Sequence, residues 1–325
     1  MTSSSVEQAQ RFAQDGQAER GAALLGDAGD RGDAVALAEL AVWRMTGAHI
    51  PRDLVKARGL LRRAVVIGHV DAALMEIALT ANGSGAAPDW PAALALLRTA
   101  ARGDHVAANQ LKLVKAMKLD DQGAPRTMPS PERLSEHCDL VRYPRLFSPE
   151  ECMQVATVAN DLLEPALVLD PTTGRQISHP IRTSDGAVIG PTREDLVIRA
   201  LNHRLAAISG TQIDQGEALA VLRYAPGQQY RPHLDSITGA QNQRIKTVLI
   251  YLNHGFQGGE TIFSELGVTI VPQQGDAIVF TNVTANGSPD PASRHAGLPV
   301  IQGVKWLATR WIRAHPLDVW KPPPS

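Results

Sequence analysis

A repeat of 36 residues runs through the first third of the chain and restricts what this part can fold into. The pair Leu24-Leu25 recurs as Leu60-Leu61 and again as Leu96-Leu97. A period of this length is typical of a helical solenoid, in which each unit is one antiparallel pair of helices. We therefore predict an all-α helical repeat domain over residues 1–120.

A break in composition follows the repeats. The segment contains Gly123-Ala124-Pro125 and Met128-Pro129-Ser130-Pro131, which is the chemistry of turns and linkers. We predict a linker over residues 121–136, a second domain over residues 137–316 and a tail over residues 317–325.

The second domain begins with helical signals and continues with strands. Ser148, Pro149 and Glu151 form a capping-box pattern that predicts the start of a helix. Apolar spacing predicts another helix from about Glu194 to Ser209. After Gly216 the predicted strands are Ala218–Tyr224, Lys246–Leu252, Thr261–Phe263, Thr269–Val271, Asp276–Phe280 and Trp306–Ile312. Many short strands with even turn spacing are typical of a jelly roll, so the predicted fold is a two-domain protein, an all-α solenoid followed by an α+β jelly-roll domain.

Composition excludes several classes of protein. The formal net charge of −1 and the pI of about 6.8 give no sign of nucleic acid or of an anionic membrane as a partner. No apolar run approaches the ~18 residues of a membrane span, and the polar segment Met1–Gly16 lacks the apolar core of a signal peptide. Cys138 and Cys152 are too few for a disulfide scaffold. We therefore predict a cytoplasmic protein with reduced cysteines.

Three His-x-Asp patterns compete as metal sites, and they begin at His69, His137 and His233. Residues two apart share a face only on a strand, but His69 lies in a helix-rich stretch and His137 has no second histidine at a suitable spacing. His233 lies among strand-like runs, with Asp235 two residues on and His295 downstream. Two imidazoles and one carboxylate leave three coordination positions open, which suits a non-haem Fe(II) centre that activates oxygen.

Lys305 follows His295 at the start of the last predicted strand. A buried cation is costly unless it is paired, and the far carboxylate of an acidic co-substrate is a suitable partner. The alternative is a surface lysine with its head in solvent, which is the usual fate of a lone lysine. The apolar residues that follow, Trp306 and Leu307, favour the buried site. Together with the metal ligands, this lysine predicts a 2-oxoglutarate-dependent iron oxygenase.

A series of motifs extends through residues 138–316. In chain order they are Leu146–Cys152, Arg182–Ser184, Tyr224–Asp235, Tyr251–Asn253, Gly258–Phe263, His295–Gly297 and Gly303–Trp306. In this order they resemble the prolyl 4-hydroxylase branch of the 2-oxoglutarate/Fe(II) oxygenases, which implies a double-stranded β-helix with flanking helices. By this resemblance His233, Asp235 and His295 are the iron ligands. Lys305 pairs with the C5 carboxylate of 2-oxoglutarate.

The same resemblance implies further roles around the site. Tyr224 and Tyr251 correspond to tyrosines whose hydroxyls hydrogen-bond the co-substrate, and Thr261 lines the same pocket. Arg182 and Tyr230 correspond to residues beside the substrate. The alternative for each tyrosine is a half-buried strand residue with its hydroxyl at the surface, and for Arg182 an ion-paired surface residue. The implied cofactors are Fe(II), 2-oxoglutarate and O2, with ascorbate as a supporting factor.

The first domain carries a resemblance of its own. Residues 15–115 resemble Sel1-like repeats, relatives of the tetratricopeptide repeat, in their glycine turns and in the helix start Pro51–Ala57. The resemblance implies that the array docks a protein partner or substrate. The alternative is an array that packs on the second domain and stabilises it.

Three functions are compatible with this sequence. The one we favour is hydroxylation of an unactivated C–H bond on a prolyl residue of a peptide or protein, which predicts an open groove beside the iron. The second is hydroxylation of a free amino acid or small metabolite, which predicts a closed pocket with an extra charged anchor. The third is a repeat-mediated binding protein with a vestigial oxygenase domain, and the complete ligand set disfavours it.

Overall fold

The computed structural model describes residues 4–169, 176–178 and 181–320. The chain forms two compact units, Met1–Gly123 with Pro191–Arg199 and Ala124–Gly190 with Ala200–Ser325. The sequence analysis placed residues 191–199 in the second domain, whereas they group with the first unit. Within the described residues, no helix has both the length and the apolar character needed to cross a membrane.

The first unit is built from helices that follow one another along the chain. They are α1 (Ser4–Gln14), α2 (Ala18–Asp30), α3 (Ala34–Thr46), α4 (Leu54–Ile67), α5 (Val70–Asn82), α6 (Trp90–Ala100) and α7 (His105–Ala116). Helices α2 and α3, α4 and α5, and α6 and α7 pack against each other in succession. The repeated leucine pair lies in the first helix of each of these pairs, so the predicted helical repeat is confirmed.

One leucine of each repeated pair is buried inside this unit. Leu25, Leu61 and Leu97 have no exposed surface. The leucine before each of them is more accessible, and Leu96 is 40% exposed. Successive residues of a helix point about 100° apart, so only one of two adjacent leucines can face the neighbouring helices. The second leucine of each repeated pair therefore marks the face of the first helix that packs against the neighbouring helices.

Five side chains cap helices of the repeat at equivalent places. They are Asp33, Asp53, His69, Asp89 and Asp104, and each accepts a hydrogen bond from the backbone N–H three residues on. A side chain in this position satisfies a backbone donor that the helix itself cannot. His69 is thus a helix cap, which agrees with setting its His-x-Asp pattern aside as a metal site.

Two helices belong wholly or partly to the second unit. Helix α8 (Pro149–Asn160) begins with the predicted capping box, since Ser148 and Glu151 exchange side-chain to backbone hydrogen bonds. Helix α9 (Leu196–Ser209) carries Arg204, which pairs with Glu151 at 2.7 Å. The cap of α8 is therefore also tied to a second helix.

The strands of the second unit are short. They are β1 (Glu132–Ser135), β2 (Leu140–Tyr143), β3 (Glu164–Pro165), β4 (Leu167–Leu169), β5 (Gln176–Ser178), β6 (Asp185–Ile189), β7 (Leu219–Tyr224), β8 (Tyr230–His233), β9 (Arg244–Tyr251), β10 (Gln257–Gly258), β11 (Thr261–Phe263), β12 (Val268–Ile270), β13 (Ala277–Thr281), β14 (His295–Gly297), β15 (Val300–Gln302) and β16 (Lys305–Arg313). The six strands predicted from the sequence correspond to β7, β9, β11, β12, β13 and β16, with ends shifted by at most two residues.

Two antiparallel sheets enclose the core of this unit. The larger sheet has the strand order β1-β2-β13-β9-β16-β7-β6-β3, and the smaller one has the order β12-β11-β14-β8. Tyr251 and Phe280 of the larger sheet share one apolar cluster with Phe263 of the smaller sheet. The predicted jelly roll, or double-stranded β-helix, is confirmed.

Sequence reasoning missed the strands with weak apolar patterns. Strand β1 lies inside the segment predicted to be a linker, yet it pairs with β2 and so satisfies the backbone groups of both. Strand β8 contains Arg231 and Pro232, and β14 has three residues. These two strands carry the histidines of the candidate site. Their pairing assembles the site, but the sequence has no apolar pattern that would have predicted it.

Candidate metal centre

Two histidines meet across neighbouring strands of the smaller sheet. His233 ends β8 and His295 begins β14, and the two residues are direct partners in the antiparallel register. Side chains of directly opposite residues lie on the same face of a sheet, and the two imidazole centroids are 4.3 Å apart. Asp235 follows β8 by two residues. The sheet register thus brings together residues that are 62 positions apart.

The three side chains converge on one buried point. The Nε2 atom of His233 lies 3.7 Å from Oδ1 of Asp235, and Nε2 of His295 lies 3.8 Å from Oδ2. The three candidate ligand atoms all lie within 4.8 Å of one another. All three residues are at least nine-tenths buried.

Backbone carbonyls select the tautomer of both histidines. Nδ1 of His233 lies 2.8 Å from the carbonyl oxygen of Arg231, and Nδ1 of His295 lies 3.0 Å from that of Ser293. A carbonyl can only accept, so each Nδ1 carries the hydrogen. In the neutral rings, each Nε2 therefore presents a lone pair toward Asp235.

The surroundings of the site shift two of its groups toward the protonation states that a metal requires. Desolvation lowers the pKa of His233 to about 4, so its ring is neutral at pH 7. Burial alone would raise the pKa of Asp235, but the imidazoles of His295 and His233 and the Thr247 hydroxyl outweigh it and lower the pKa. Whenever both rings are neutral, two lone pairs and a carboxylate face one another and repel. A divalent cation removes that repulsion, so the donor set fits a 2-His-1-carboxylate metal site.

Lys305 lies at another part of the same cavity. It is 2% exposed, and its Nζ donates to the carbonyl oxygen of Gly259 at 2.6 Å. The rings of Tyr224 and Tyr251 are each 5.5 Å from the ammonium. Burial lowers the pKa of Lys305 to about 8, against the opposing charge of Glu260. The ammonium is therefore an inward-facing cation rather than a solvated surface group.

The tyrosines and the threonine expected near the co-substrate are also buried. The Tyr251 hydroxyl donates to Oγ1 of Thr261 at 2.7 Å. Tyr224 is 3% exposed, and it stands opposite Lys305 in the pairing of β7 with β16. Burial raises the pKa of both tyrosines, so both hydroxyls are protonated at pH 7. The alternative of surface hydroxyls is excluded for both.

One open cavity joins the metal ligands to Lys305. Besides these residues and Tyr224, Tyr230 and Thr261, its walls contain Leu222, Leu249, Gly297, Leu307, Thr309 and Trp311. Side chains alternate along a strand, so the positions two, four and six residues beyond Lys305 on β16 face the cavity as it does. Thr309 and Trp311 were missed from the sequence, and this alternation was the signal that identifies them.

Arg182 and Tyr230 lie beside the metal ligands. The Tyr230 ring stacks on His233 with centroids 3.5 Å apart and planes inclined by 12°. The guanidinium of Arg182 is 5.8 Å from the centre of the Tyr230 ring, and the two residues form an antiparallel β-bridge. Of the site residues expected from the sequence, seven line one cavity, while Tyr251 contacts it through Thr261 and Arg182 lies behind Tyr230.

Comparison with known proteins agrees with this geometry. The family model of the 2OG-Fe(II) oxygenase superfamily matches residues 219–313. Prolyl 4-hydroxylase 1 of Arabidopsis thaliana is 33% identical to this chain over 202 residues, which is 56% of this chain and 71% of the relative. This chain belongs to the prolyl 4-hydroxylase family.

Two solved structures resemble separate parts of this oxygenase. The viral collagen prolyl hydroxylase of Paramecium Bursaria Chlorella virus-1, in its 2OG complex, is 27% identical and matches 55% of this chain and 99% of its own, with a TM-score of 0.44. A Sel1 repeat protein of Oxalobacter formigenes is 26% identical and matches 33% of this chain and 85% of its own, with a TM-score of 0.29.

Family membership defines the cofactors of this oxygenase. Members of the superfamily use Fe(II), 2-oxoglutarate and O2. Within the described residues, His233, Asp235 and His295 are a buried group of side chains that could hold a metal ion. The reaction class and the cofactors Fe(II), 2-oxoglutarate and O2 are thus those predicted from the sequence.

Proposed function

We propose that this oxygenase hydroxylates prolyl residues of a peptide or protein, with His233, Asp235 and His295 holding Fe(II). The observation that carries the proposal is one cavity whose lining contains three converging metal-ligand side chains and a buried ammonium. Such an arrangement accommodates a ligand that binds a metal at one end and carries a carboxylate at the other. 2-Oxoglutarate has both features.

Lys305 and its neighbours orient the co-substrate. The Lys305 ammonium, which donates to the Gly259 carbonyl oxygen, would pair with the far carboxylate of 2-oxoglutarate. Because Thr261 accepts from Tyr251, its own hydroxyl hydrogen is free to be directed at that carboxylate. Tyr224, whose ring centre is 5.5 Å from the ammonium, supplies a further protonated hydroxyl. The attraction between an ammonium and a carboxylate is far stronger in this buried site than in water.

The apolar walls protect the reacting centre. Fe(II), when bound, supplies the oxygen chemistry that hydroxylates an unactivated C–H bond. Leu222, Leu249 and Leu307 line the cavity and are each more than nine-tenths buried. These side chains exclude water and hold the target carbon in a dry environment, which suppresses side reactions.

A peptide substrate is supported by the relatives and by the mouth of the cavity. The curated relative is named a prolyl 4-hydroxylase. Tyr230 and Trp311 line the cavity but are only partly buried, so the cavity reaches solvent beside them. An open mouth favours a chain that passes across it over a small molecule that is enclosed. Roles for ascorbate, a cytoplasmic location and partner docking by the repeats stay predictions.

The test is succinate formation by the full chain with Fe(II) and 2-oxoglutarate. Proline-containing peptides, free proline and no substrate are compared, with product masses read in parallel and His233→Ala as the inactive control. We expect peptides to stimulate turnover and to gain the mass of one oxygen atom. Stimulation by free proline alone would move the enzyme to small-molecule hydroxylation, and wild-type activity of His233→Ala would refute the site. Omitting ascorbate from one arm tests its supporting role.

A further inference from the structure

Thr247 and Asn282 form a hydrogen-bonded chain behind Asp235. The Thr247 hydroxyl lies 2.7 Å from Oδ2 of Asp235. The Asn282 amide Nδ2 donates to that hydroxyl oxygen at 2.9 Å. Thr247 and Asn282 have no exposed surface, and Asp235 is 5% exposed. Water therefore does not compete for these hydrogen bonds.

The direction of each hydrogen bond follows from proton counting. A threonine hydroxyl has one hydrogen and two candidate acceptors, Oδ2 of Asp235 at 2.7 Å and Oδ1 of Asn282 at 3.3 Å. The charged oxygen is nearer and is the stronger acceptor. Donation from Asn282 Nδ2 occupies a lone pair of the hydroxyl oxygen, which leaves its hydrogen to point at Asp235. Asn282 thus orients Thr247, and Thr247 orients the carboxylate.

Asn282 is held by the backbone on both sides. Its N–H donates to the carbonyl oxygen of Ile245 at 2.8 Å, and its carbonyl oxygen accepts from Asp290 N–H at 2.9 Å. Asp290 caps the short 3-10 turn Pro291–Ser293, and the Ser293 carbonyl accepts from His295 Nδ1. The same asparagine therefore connects the carboxylate ligand to the loop that presents one histidine.

We infer that Thr247 and Asn282 are positioning residues that hold Oδ2 of Asp235 and so fix the orientation in which the carboxylate faces His233 and His295. This inference rests on the proposed iron site. A carboxylate that is free to turn could bind through both oxygens and occupy one more coordination position. A carboxylate held in one orientation keeps positions open for a chelating 2-oxo acid and O2.

Metal binding without turnover tests the inference. Mn(II) is titrated into the full chain, and free Mn(II) is followed by electron paramagnetic resonance for wild type, Thr247→Val and Thr247→Ser. Valine matches threonine in shape but lacks the hydroxyl, whereas serine keeps it. Loss of a hydrogen-bond partner of a ligand typically costs about 10- to 100-fold in metal affinity. We expect a loss of that size for valine and a change under about threefold for serine.

A second readout separates positioning from general damage. In Mn(II)-saturated protein, Thr247→Val should bind 2-oxoglutarate roughly tenfold more weakly, because a carboxylate that is no longer held in one orientation can turn and compete with the chelating end of the co-substrate. The unfolding temperature of the metal-free variant, and its rise on adding Mn(II), report whether the fold is intact. If Thr247 were merely structural, its replacement would lower the unfolding temperature of the metal-free protein and leave the affinities for Mn(II) and 2-oxoglutarate unchanged.

Asn282→Ala keeps the test decisive if the valine variant does not fold. It leaves the Thr247 hydroxyl in place but free to turn toward other acceptors, so we expect a smaller loss of Mn(II) affinity, about three- to tenfold. Wild-type Mn(II) and 2-oxoglutarate affinities in folded Thr247→Val or Asn282→Ala would overturn the inference. Failure of the wild-type chain to bind Mn(II) would instead overturn the proposed iron site.

Discussion

The two units of the molecule bury charged groups in opposite ways. In the repeat unit, Arg58 and Glu76 are both buried and meet at 2.8 Å, with Thr80 as a further partner of the arginine. In the oxygenase unit, three acceptors face one another and Lys305 lies in a separate wall of the same cavity. The first arrangement is internally neutralised. The second requires a cation and an anion from outside, and that difference marks the functional site.

The largest expected difference between the neutralised ion pair and the oxygenase site is in turnover. We expect His233→Ala to lower 2-oxoglutarate-dependent succinate formation by roughly 1,000-fold or more, because metal ligands act as a unit. At a pH where both rings are neutral, its metal-free form should unfold no more easily than wild type, since one of three mutually repelling acceptors is gone. Parallel calorimetry and Mn(II) titration check this. A variant that binds Mn(II) normally would contradict the ligand assignment.

Breaking the neutralised pair should act on stability instead. Arg58→Met keeps most of the side-chain volume but leaves Glu76, among the described residues, with the exposed Arg62 as its charged partner. We expect the free energy of unfolding of the repeat unit to fall by about 3 kcal/mol, as for other broken buried ion pairs. Chemical denaturation measures it. Mn(II) affinity measured below the unfolding transition serves as the control and should match wild type.

Removing the buried cation should have the opposite sign for stability. Lys305→Met eliminates a buried charge that forms no salt bridge among the described residues and whose burial cost Glu260 offsets only in part, so the metal-free protein should become more stable, while 2-oxoglutarate binding weakens by about 100-fold. Denaturation with and without 2-oxoglutarate separates the two effects. Lys305→Arg, which keeps the charge, is the matched control for the ligand. A destabilised Lys305→Met would show that the ammonium is neutralised within the fold.

The pH dependence of co-substrate binding follows from the same lysine. Its pKa falls from 10.5 to about 8 on burial, so between these values the folded chain has lost a proton that the unfolded chain keeps. Below pH 8 the lysine is charged in both states, so the full cost of burying the charge lowers the free energy of unfolding. Between pH 8 and 10.5 the folded chain loses the proton first, so the free energy of unfolding rises with pH. The affinity of the metal-loaded protein for 2-oxoglutarate should fall roughly tenfold per pH unit above 8 until the bound-state pKa is reached. Calorimetric titration at several pH values measures it, and Lys305→Met should lack this dependence.

The smallest effect concerns the caps of the repeat. Asp104→Ala removes the acceptor of the Ala107 N–H, which lies 2.8 Å away, and should cost about 1 kcal/mol of stability. Denaturation midpoints of Asp104→Ala and Asp104→Asn check this, since asparagine retains an acceptor. Mn(II) affinity should not change, and any change would contradict our view that the repeat unit affects stability and not the metal site.

Much of the fold was predictable because its signals are local. Repeated leucines identified the first helix of each pair, and Ser148 with Glu151 identified the start of α8. Strands with strong apolar patterns were found to within two residues. The missed strands β8 and β14 are short and polar, and they are stabilised by pairing with each other. Tertiary pairing of this kind has no counterpart within a sequence window.

The sequence by itself determined the chemistry, because His233, Asp235, His295 and Lys305 are the residue types that an iron and an acidic co-substrate require. Only the tertiary structure decided their arrangement: the register of β8 with β14 aligns the histidines, and backbone carbonyls select their tautomers. It also decided the supports behind Asp235, since Thr247 and Asn282 lie 12 and 47 positions away in the chain. A threonine in a strand and an asparagine after one are common, and hydrogen bonds between distant residues become visible only when folding excludes water around them.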